Sequence, residues 1–330
     1  MSTSRRIAVT VFALVVGTAL AAPALTPHAP QTHFDEYPTA PPMRPRIIHA
    51  DGSIGRPFVY PLRLVDRLER RYEADRSRPM PIRWFAHGYL ASIDEASGPW
   101  LPLGSDPLGR DVFARLLYGA RLSLGLACVA SIAALLVGIV VGGPAGLIGG
   151  RLDAMLMALA DFVLVLPAIY VVLAFRAALP LVLTVPQVFA ALTLVLAAAG
   201  WPLAARGVRT IVAAERQREY AEAAYALGAG PLRILLRHLL PATVGFLLSL
   251  WTMMLPAFVL TEATLSMTGL GFPAPTATWG AMLQDASNDR SFTEAPWLLA
   301  PAIAIIVTML ALHSMTSTRV SDPTQAGTFS

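Results

Sequence analysis

Long apolar runs constrain this chain more than any other feature of its sequence. About 20 consecutive apolar residues are needed to cross a bilayer as a helix, and several runs reach or approach that length. They lie at residues 7–25 and, approximately, at 122–146, 154–178, 186–207, 241–263 and 297–316. A composition of 55% hydrophobic and 14% charged residues also excludes an ordinary soluble domain. We therefore expect an all-α integral membrane protein with six transmembrane helices.

The first run allows two interpretations. Arg5 and Arg6 precede it, and residues 19–21, Ala-Leu-Ala, have the small-x-small form of a signal-peptide cleavage site. Either the chain is cleaved after Ala21, or the run remains as an uncleaved first helix. We favour the uncleaved helix because the run is long and five further spans follow it. Residues 1–25 are then a cytoplasmic N-terminus and the first span.

Residues 26–101 are too polar to span a membrane and are rich in proline and arginine. With the N-terminus inside, this insert is expected to be a long extracytoplasmic loop after the first helix. Its arginines do not oppose that placement, because the positive-inside bias is weak for long loops. Within the insert, RLVDRLERRYEADRSR at 63–78 reads as a short charged helix.

Arginine is concentrated in the connections that should be cytoplasmic. Arg151 follows the second span, and the connection after the fourth span is the richest in arginine. The links after the third and fifth spans are poor in arginine, with Arg176 at the edge of the first link and Arg290 in the second. The arginines after the fourth span are Arg206, Arg209, Arg216, Arg218, Arg233 and Arg237. Residues 102–316 are therefore expected to form a core with five further spans, and the tail 317–330 is expected in the cytoplasm.

The absence of lysine excludes several chemistries. All 25 basic residues are arginine, so the chain has no phosphate-binding loop of the type that ends in lysine. Any ATP and Mg²⁺ that drive it must therefore be bound by another chain. The small net charge of +4 is spread out and indicates no nucleic-acid partner. The single cysteine, Cys128, excludes an intrachain disulfide.

No catalytic or metal-binding pattern stands out. The only histidine grouping is His28 and His33 near Asp35 and Glu36, in a proline-rich loop without metal-ligand spacing. Nucleophile elbows of the G-x-S-x-G type are missing. We expect no enzyme activity, no cofactor and no metal on this chain.

The segment 218–241 is a short, charged interruption between apolar spans. Residues 215–227 favour a helix, residues 228–231 (Gly-Ala-Gly-Pro) break it, and residues 232–240 favour a second helix. The predicted shape is a helix–turn–helix outside the membrane, suited to docking into a groove on another protein. An ordinary amphipathic interfacial helix pair is the alternative.

This segment resembles the EAA loop of ABC-importer permeases. The resemblance rests on Glu222, Ala223, Ala224, Gly228, His238, Leu240 and Pro241. His238 replaces the isoleucine of the broad pattern, and an Arg-His pair at this place is typical of the peptide and nickel branch. The resemblance implies a cytosolic coupling helix that sits in a cleft of the ATPase subunit.

Residues 103–124, LGSDPLGRDVFARLLYGARLSL, narrow the resemblance to the C-type subunit of dipeptide and oligopeptide permeases. Ser105 replaces the usual threonine, and Asp111 can cap an interfacial helix leading into the second span. Residues 146–167 and 260–286 also resemble this family. The tail from His313 departs from it.

The family resemblance implies a peptide importer in the bacterial inner membrane. Its expected partners are a B-type permease subunit in a heterodimer, two cytosolic ATPase subunits, an extracytoplasmic substrate-binding protein and membrane lipid. Nickel or another small solute remains open as the substrate. An ion-coupled secondary transporter is a remoter alternative, because neither charged midplane sites nor internal repeats are evident.

Two carboxylates near or within the spans are candidate pathway or gate residues. Asp161 lies in the third span and Glu262 at the outer end of the fifth, where ionised side chains are costly. Interhelical hydrogen bonding is the alternative role, which we favour for Asp161. Glycines such as Gly138, Gly142 and Gly143 are expected to pack helices together.

Overall fold

The computed structural model describes residues 3–48, 54–67, 69–86, 88–94, 98–166, 183–287 and 294–317. The predictions for the third span beyond residue 166, for Arg176 and Arg290 and for most of the tail concern residues outside these ranges. The helices of the described residues are α1 (Thr3–Leu20), α2 (Ala22–Leu25), α3 (Val112–Ile148), α4 (Gly150–Val165), α5 (Val185–Glu215), α6 (Glu219–Ala226), α7 (Pro231–Ile234), α8 (Leu240–Met267), α9 (Trp279–Ala286) and α10 (Ala300–Ser317). A π-helical segment, Leu235–Leu239, joins α7 to α8, and a 3₁₀ turn, Pro296–Leu299, precedes α10.

Among the described residues, five helical segments are long and apolar enough to cross a membrane. They are Thr3–Leu20, Val112–Ile148, Val185–Glu215, Pro231–Met267 and Pro296–Met315. Each overlaps one of the apolar runs predicted from the sequence, although Thr3–Leu20 ends five residues before the first run does. The third predicted span begins as α4, and its remainder is not described, so the count of six stays a prediction.

The described residues of the insert form strands and no helix, so the all-α prediction is wrong for them. Its strands are β1 (Arg46–Ile48), β2 (Ile54–Val59), β3 (Leu62–Asp66), β4 (Arg71–Ala74), β5 (Met80–Pro81), β6 (Arg83–Trp84) and β7 (Ala91–Ser92). They form three small antiparallel sheets, ordered β1-β2-β5, β3-β4 and β6-β7. A core of its own holds the insert together. Its buried members are Ala40, Met43, Val59, Met80, Ile82, Ala91, Ile93, Trp100 and Leu101.

The charged helix predicted at 63–78 is instead the hairpin of β3 and β4. Leu62 and Leu64 alternate with the exposed Arg63 and Val65, which is the period of a half-buried strand. Leu64 stands opposite Tyr72 across the hairpin. The charge density obscured this alternation, because arginine and glutamate favour helices when no packing partner decides otherwise.

The chain divides into two compact units. One comprises Met1–Ala8, Leu124–Glu262 and Leu310–Ser330, and the other comprises Val9–Ser123 and Ala263–Met309. The second unit contains the insert and the start of α3. There, Asp111 Oδ1 accepts the Phe113 backbone N–H at 2.9 Å, which confirms the predicted cap. The predicted interfacial helix and second span are one continuous helix, α3.

Glycines on α3 let α5 pack against its backbone in the first unit. A Cβ at Gly138 would collide with Ala204, and one at Gly142 with the carbonyl oxygen of Ala205. Gly143 makes only ordinary contacts with Leu235 side-chain atoms at 3.5 Å. The packing role expected for Gly138 and Gly142 is confirmed, and it follows the small-residue rule for helices in membranes.

Gly142→Ala is expected to destabilise the protein because the added methyl group has no room. Overpacking of this kind costs about 1–3 kcal/mol. Gly125→Ala is the matched control on the same helix, since its Cβ would meet nothing within 4 Å. Thermal unfolding of the purified protein in detergent should show a lower midpoint for Gly142→Ala only. Equal midpoints for the two variants would contradict this packing.

Candidate functional site

The predicted coupling loop, residues 218–241, is described together with the three residues before it. The two are called the coupling element, residues 215–241, which begins with a closed turn. The Tyr220 hydroxyl donates to Glu215 Oε2 at 2.6 Å, and the Arg218 N–H donates to the Glu215 carbonyl at 3.1 Å. Arg218 has an extended backbone, with ψ at 147°, and occupies the N-cap position of α6 without a side-chain capping bond. The sequence prediction of one unbroken helix over 215–227 is therefore wrong. No glycine or proline marks this break, so the sequence carried no strong signal for it.

The bend after α6 is a Schellman motif. Gly228 has φ at +82°, its N–H donates to the Tyr225 carbonyl at 2.9 Å, and the Ala229 N–H donates to the Ala224 carbonyl at 3.0 Å. These bonds satisfy the last carbonyls of α6. A Cβ at Gly228 would meet nothing within 4 Å. The chain therefore requires glycine here for its backbone conformation and not for space.

One face of the coupling element packs on the ends of the long helices. Ala221 of α6 is fully buried, as is Ile234 of α7. The cluster that encloses them consists of Leu147, Val208, Val212, Ala221, Ile234, Leu235 and Leu239. This cluster joins α6 and α7 to α3 and α5.

The opposite face of the coupling element exposes apolar side chains at the bend. Leu227 is 88% exposed, and Leu232 and Leu236 are also largely exposed. Tyr220 and Tyr225 of α6 are also exposed. Exposed apolar side chains that lie close in sequence around one bend make this element a candidate interaction site. The helical hairpin predicted for docking is thus present, with its apolar tip uncovered within this chain.

The structure places the predicted coupling residues on both faces. Glu222, Ala223, Gly228 and Pro241 are exposed. Ala224 and Leu240 pack against the buried cluster. His238 is half-buried, and within the described part of the chain its Nδ1 has no hydrogen-bond partner. The sequence prediction did not place Ala221, Ile234 and Leu239 on a buried face. The recurrence of apolar residues from Ile234 to Leu239 is the signal that could have revealed part of it.

Two arginines, one at the start of the coupling element and one just before it, connect the end of α5 to α3 and α4. Arg216 donates to the carbonyl of Leu147 at the end of α3. Arg209 of α5 pairs with Asp153 of α4, with Nε 2.9 Å from Oδ1. Both contacts join parts of the chain more than fifty residues apart. They hold the end of α5 against the turn between α3 and α4.

The two candidate pathway carboxylates have different surroundings. Asp161 of α4 forms an ion pair with Arg206 of α5, and both side chains are about half exposed. Glu262 of α8 is fully buried. The Asp161 contact is the interhelical pairing considered above. A role of either residue in a pathway or gate stays a prediction.

The second unit contains a buried ionic cluster built on the 103–124 segment. Asp106 Oδ2 lies 2.6 Å from Arg110 Nε, and Asp285 Oδ2 lies 2.8 Å from Arg110 Nη2 and 3.1 Å from Arg115 Nη2. Burial raises the pKa of Asp285 above its ordinary value, and the charges of Arg115 and Arg110 oppose that rise. The cluster joins the start of α3 to α9.

In the histidine grouping of the insert, His28 pairs with a carboxylate outside the insert. His28 Nδ1 lies 3.0 Å from Asp111 Oδ2, which is fully buried. Across the described ranges, no group of three or more histidine, cysteine, aspartate or glutamate side chains is arranged to hold a metal ion.

The sequence was compared with protein families and with known proteins, and it matches a family of membrane transport components. Residues 134–323 match the family described as binding-protein-dependent transport system inner membrane component. The chain is 36% identical over 211 residues to the oligopeptide transport system permease protein OppC of Bacillus subtilis, covering 64% of this chain and 67% of the relative. It is 37% identical over 211 residues to the nickel transport system permease protein NikC of Escherichia coli K12, covering 64% and 74%.

A dipeptide permease and a solved structure are also similar. The dipeptide transport system permease protein DppC of Bacillus subtilis is 37% identical over 212 residues, which is 64% of each chain. Among solved structures, an inward-facing conformation of the MetNI methionine ABC transporter matches with a TM-score of 0.50 and 17% identity. That match covers 63% of this chain and 95% of the other, and it bears on the fold alone.

Proposed function

The chain belongs to the binding-protein-dependent transport system inner membrane component family, as an ABC-importer permease of the peptide and nickel branch, and we propose that it carries short peptides. In this proposal it is the C-type subunit, paired with a B-type subunit in a bacterial inner membrane. Two cytosolic ATPase subunits and an extracytoplasmic substrate-binding protein complete the importer. ATP and Mg²⁺ are bound by the ATPase subunits.

The observation that carries the coupling role is the two-faced hairpin of α6 and α7. Its apolar tip, with Leu227 and Leu232 exposed, offers the surface on which an ATPase subunit docks. Its buried face packs on the ends of α3 and α5 through Ala221 and Ile234. Closure of the ATPases on ATP would displace the tip. The packed cluster would then pass that displacement to the long helices as a rigid-body movement.

Nickel transport is the second candidate function. The nickel permease relative is 37% identical to this chain, against 36% and 37% for the two peptide permease relatives. The test is uptake by vesicles that contain the complete importer with its own binding protein. We expect ATP-dependent uptake of a radiolabelled dipeptide and none of ⁶³Ni²⁺. Uptake of nickel alone would contradict the peptide assignment.

The proposed orientation places the coupling element in the cytoplasm. A reporter fused after Leu25 should report an extracytoplasmic location, and one fused near Arg216 should report the cytoplasm, following the arginine distribution. N-terminal sequencing of the membrane-bound protein should find the residues before Ala22 still attached. A chain that begins at Ala22 would remove α1 and contradict the six-span arrangement.

A further inference from the structure

A cavity of about 410 Å³ lies beside the start of α3, in the second unit. Its wall is contributed by the beginning of the insert, by α3 and by the segment before α9. The lining residues are Pro30, Gln31, Tyr118, Arg121, Leu122, Thr276 and Ala277. In the proposed orientation this end of α3 is extracytoplasmic, so the cavity opens on the side from which substrate arrives.

Arg121 is the one charged residue in this described lining. Its guanidinium carbon lies 5.8 Å from the centre of the Tyr118 ring, one helical turn earlier on α3. Stacking of this kind orients an arginine without neutralising it. Within the described ranges, Arg121 makes no ion pair with a carboxylate. The described lining therefore presents an exposed cation that stands over the Tyr118 ring.

One backbone contact and one side-chain contact fix the wall on the insert side. The Phe34 N–H donates to the Gly109 carbonyl at 3.0 Å, and His28 pairs with Asp111 at 3.0 Å. These contacts lie on both sides of Pro30 and Gln31 along the chain. The insert is thereby held against the start of α3.

The opposite wall is fixed by the start of α9. Thr278 caps that helix by accepting the Ala281 N–H at 3.0 Å. The Trp279 N–H donates to Ser123 Oγ at 3.2 Å. A Cβ at Gly119 would lie 3.2 Å from the carbonyl carbon of Thr278, so the two segments are in close contact. Thr276 and Ala277 are thus held beside α3, and the cavity is preformed.

We propose that this cavity is an entry site that binds the C-terminal carboxylate of a short peptide, with Arg121 as its cationic partner. The planar guanidinium matches a carboxylate in a two-bond arrangement. No acidic side chain of the described lining competes for it. A volume of this size is typical of a small-molecule site. The assignment rests on the proposed function, since it takes peptide as the solute.

The test measures the site without relying on transport. Thr276→Cys in a Cys128→Ala background places a single thiol of this chain in the cavity wall. The complete importer in nanodiscs is treated with an anionic and a cationic thiosulfonate reagent of similar size, and labelling of this chain is followed by mass. We expect faster labelling by the anionic reagent. Arg121→Gln should remove that preference, and Arg121→Lys should retain it.

A dipeptide with a free C-terminus should protect the introduced thiol, and its C-terminal amide should not. Hydrogen bonds to charged groups contribute about 1.5–3 kcal/mol, which corresponds to at least about tenfold in the half-protecting concentration. Arg121→Gln should raise that concentration for the free acid to the value for the amide. Equal protection by acid and amide in the unmodified background would overturn the proposal.

The phosphate group of an anionic lipid is the other anion that this cavity could bind. Varying the lipid composition distinguishes binding of lipid from binding of peptide. Nanodiscs of phosphatidylcholine alone are compared with nanodiscs that also contain phosphatidylglycerol. Protection by phosphatidylglycerol and none by the dipeptide would assign the cavity to lipid and overturn the proposal. Dipeptide uptake by the wild-type complex is measured in parallel. If the dipeptide is taken up but does not protect the thiol, the binding site is wrong and the proposed function stands. If the dipeptide is neither taken up nor protective, the proposed function is wrong as well.

Discussion

Gly228→Asp is expected to abolish ATP-dependent import while leaving the chain folded and paired with its B-type partner. A side chain at Gly228 meets nothing within this chain, so the fold bears only the strain of a positive φ. That strain is on the order of 1–2 kcal/mol, and aspartate tolerates the left-handed region better than most residues. The new carboxylate would stand at the tip beside Leu227, where the ATPase subunit is proposed to dock.

The measurement for Gly228→Asp combines uptake with co-purification of the ATPase subunits. Glu222→Ala should impair both less severely, because Glu222 is exposed in the first turn of α6 and favours that helix end electrostatically. Ala226→Ser, also at an exposed position of α6, is the mild control. Wild-type uptake by Gly228→Asp would show that this bend is not the coupling site.

Asp106→Ala is expected to cause the largest loss of stability of any single substitution considered. The Asp106 side chain is 4% exposed and pairs with Arg110. It also accepts the backbone N–H groups of Leu108 and Arg110, each at 2.9 Å. Removing one partner of a buried ion pair costs about 3–5 kcal/mol. Thermal unfolding of the purified chain, together with its yield from membranes, measures the loss.

Glu73→Ala is the control for the Asp106 prediction. Glu73 pairs with Arg71 at 3.5 Å, and both side chains are more than 60% exposed. Exposed pairs contribute about 0–1 kcal/mol, so this variant should unfold close to the wild-type midpoint. If Asp106→Ala also unfolds there, the buried cluster does not stabilise the second unit.

The sequence predicted features that depend on local chemistry. Five of the six predicted apolar runs overlap long helices of the described chain, because the bilayer selects such runs by composition. Asp111 caps α3 as expected. Gly228 adopts the left-handed conformation that a glycine-rich break between helices requires.

Features that depend on distant parts of the chain escaped the sequence prediction. Arg110 and Asp285 are separated by 175 residues, so no local pattern relates them. The pairing of Arg209 with Asp153 likewise depends on how α5 packs beside α4. The hairpin of β3 and β4 was misread as a helix because its stabilising contact, the packing of Leu62 and Tyr72 on the insert core, is tertiary. Local propensity cannot reveal such contacts.

The most direct test of the coupling role is a photo-crosslink from the tip of the element. A benzoylphenylalanine residue at Leu227, which is 88% exposed, is irradiated in the complete importer in its membrane. Leu108, an exposed leucine of the second unit, provides the matched position away from the element. The proposal predicts a crosslink from position 227 to an ATPase subunit and none from position 108. Crosslinks from position 227 to lipid or to the B-type subunit alone would contradict it.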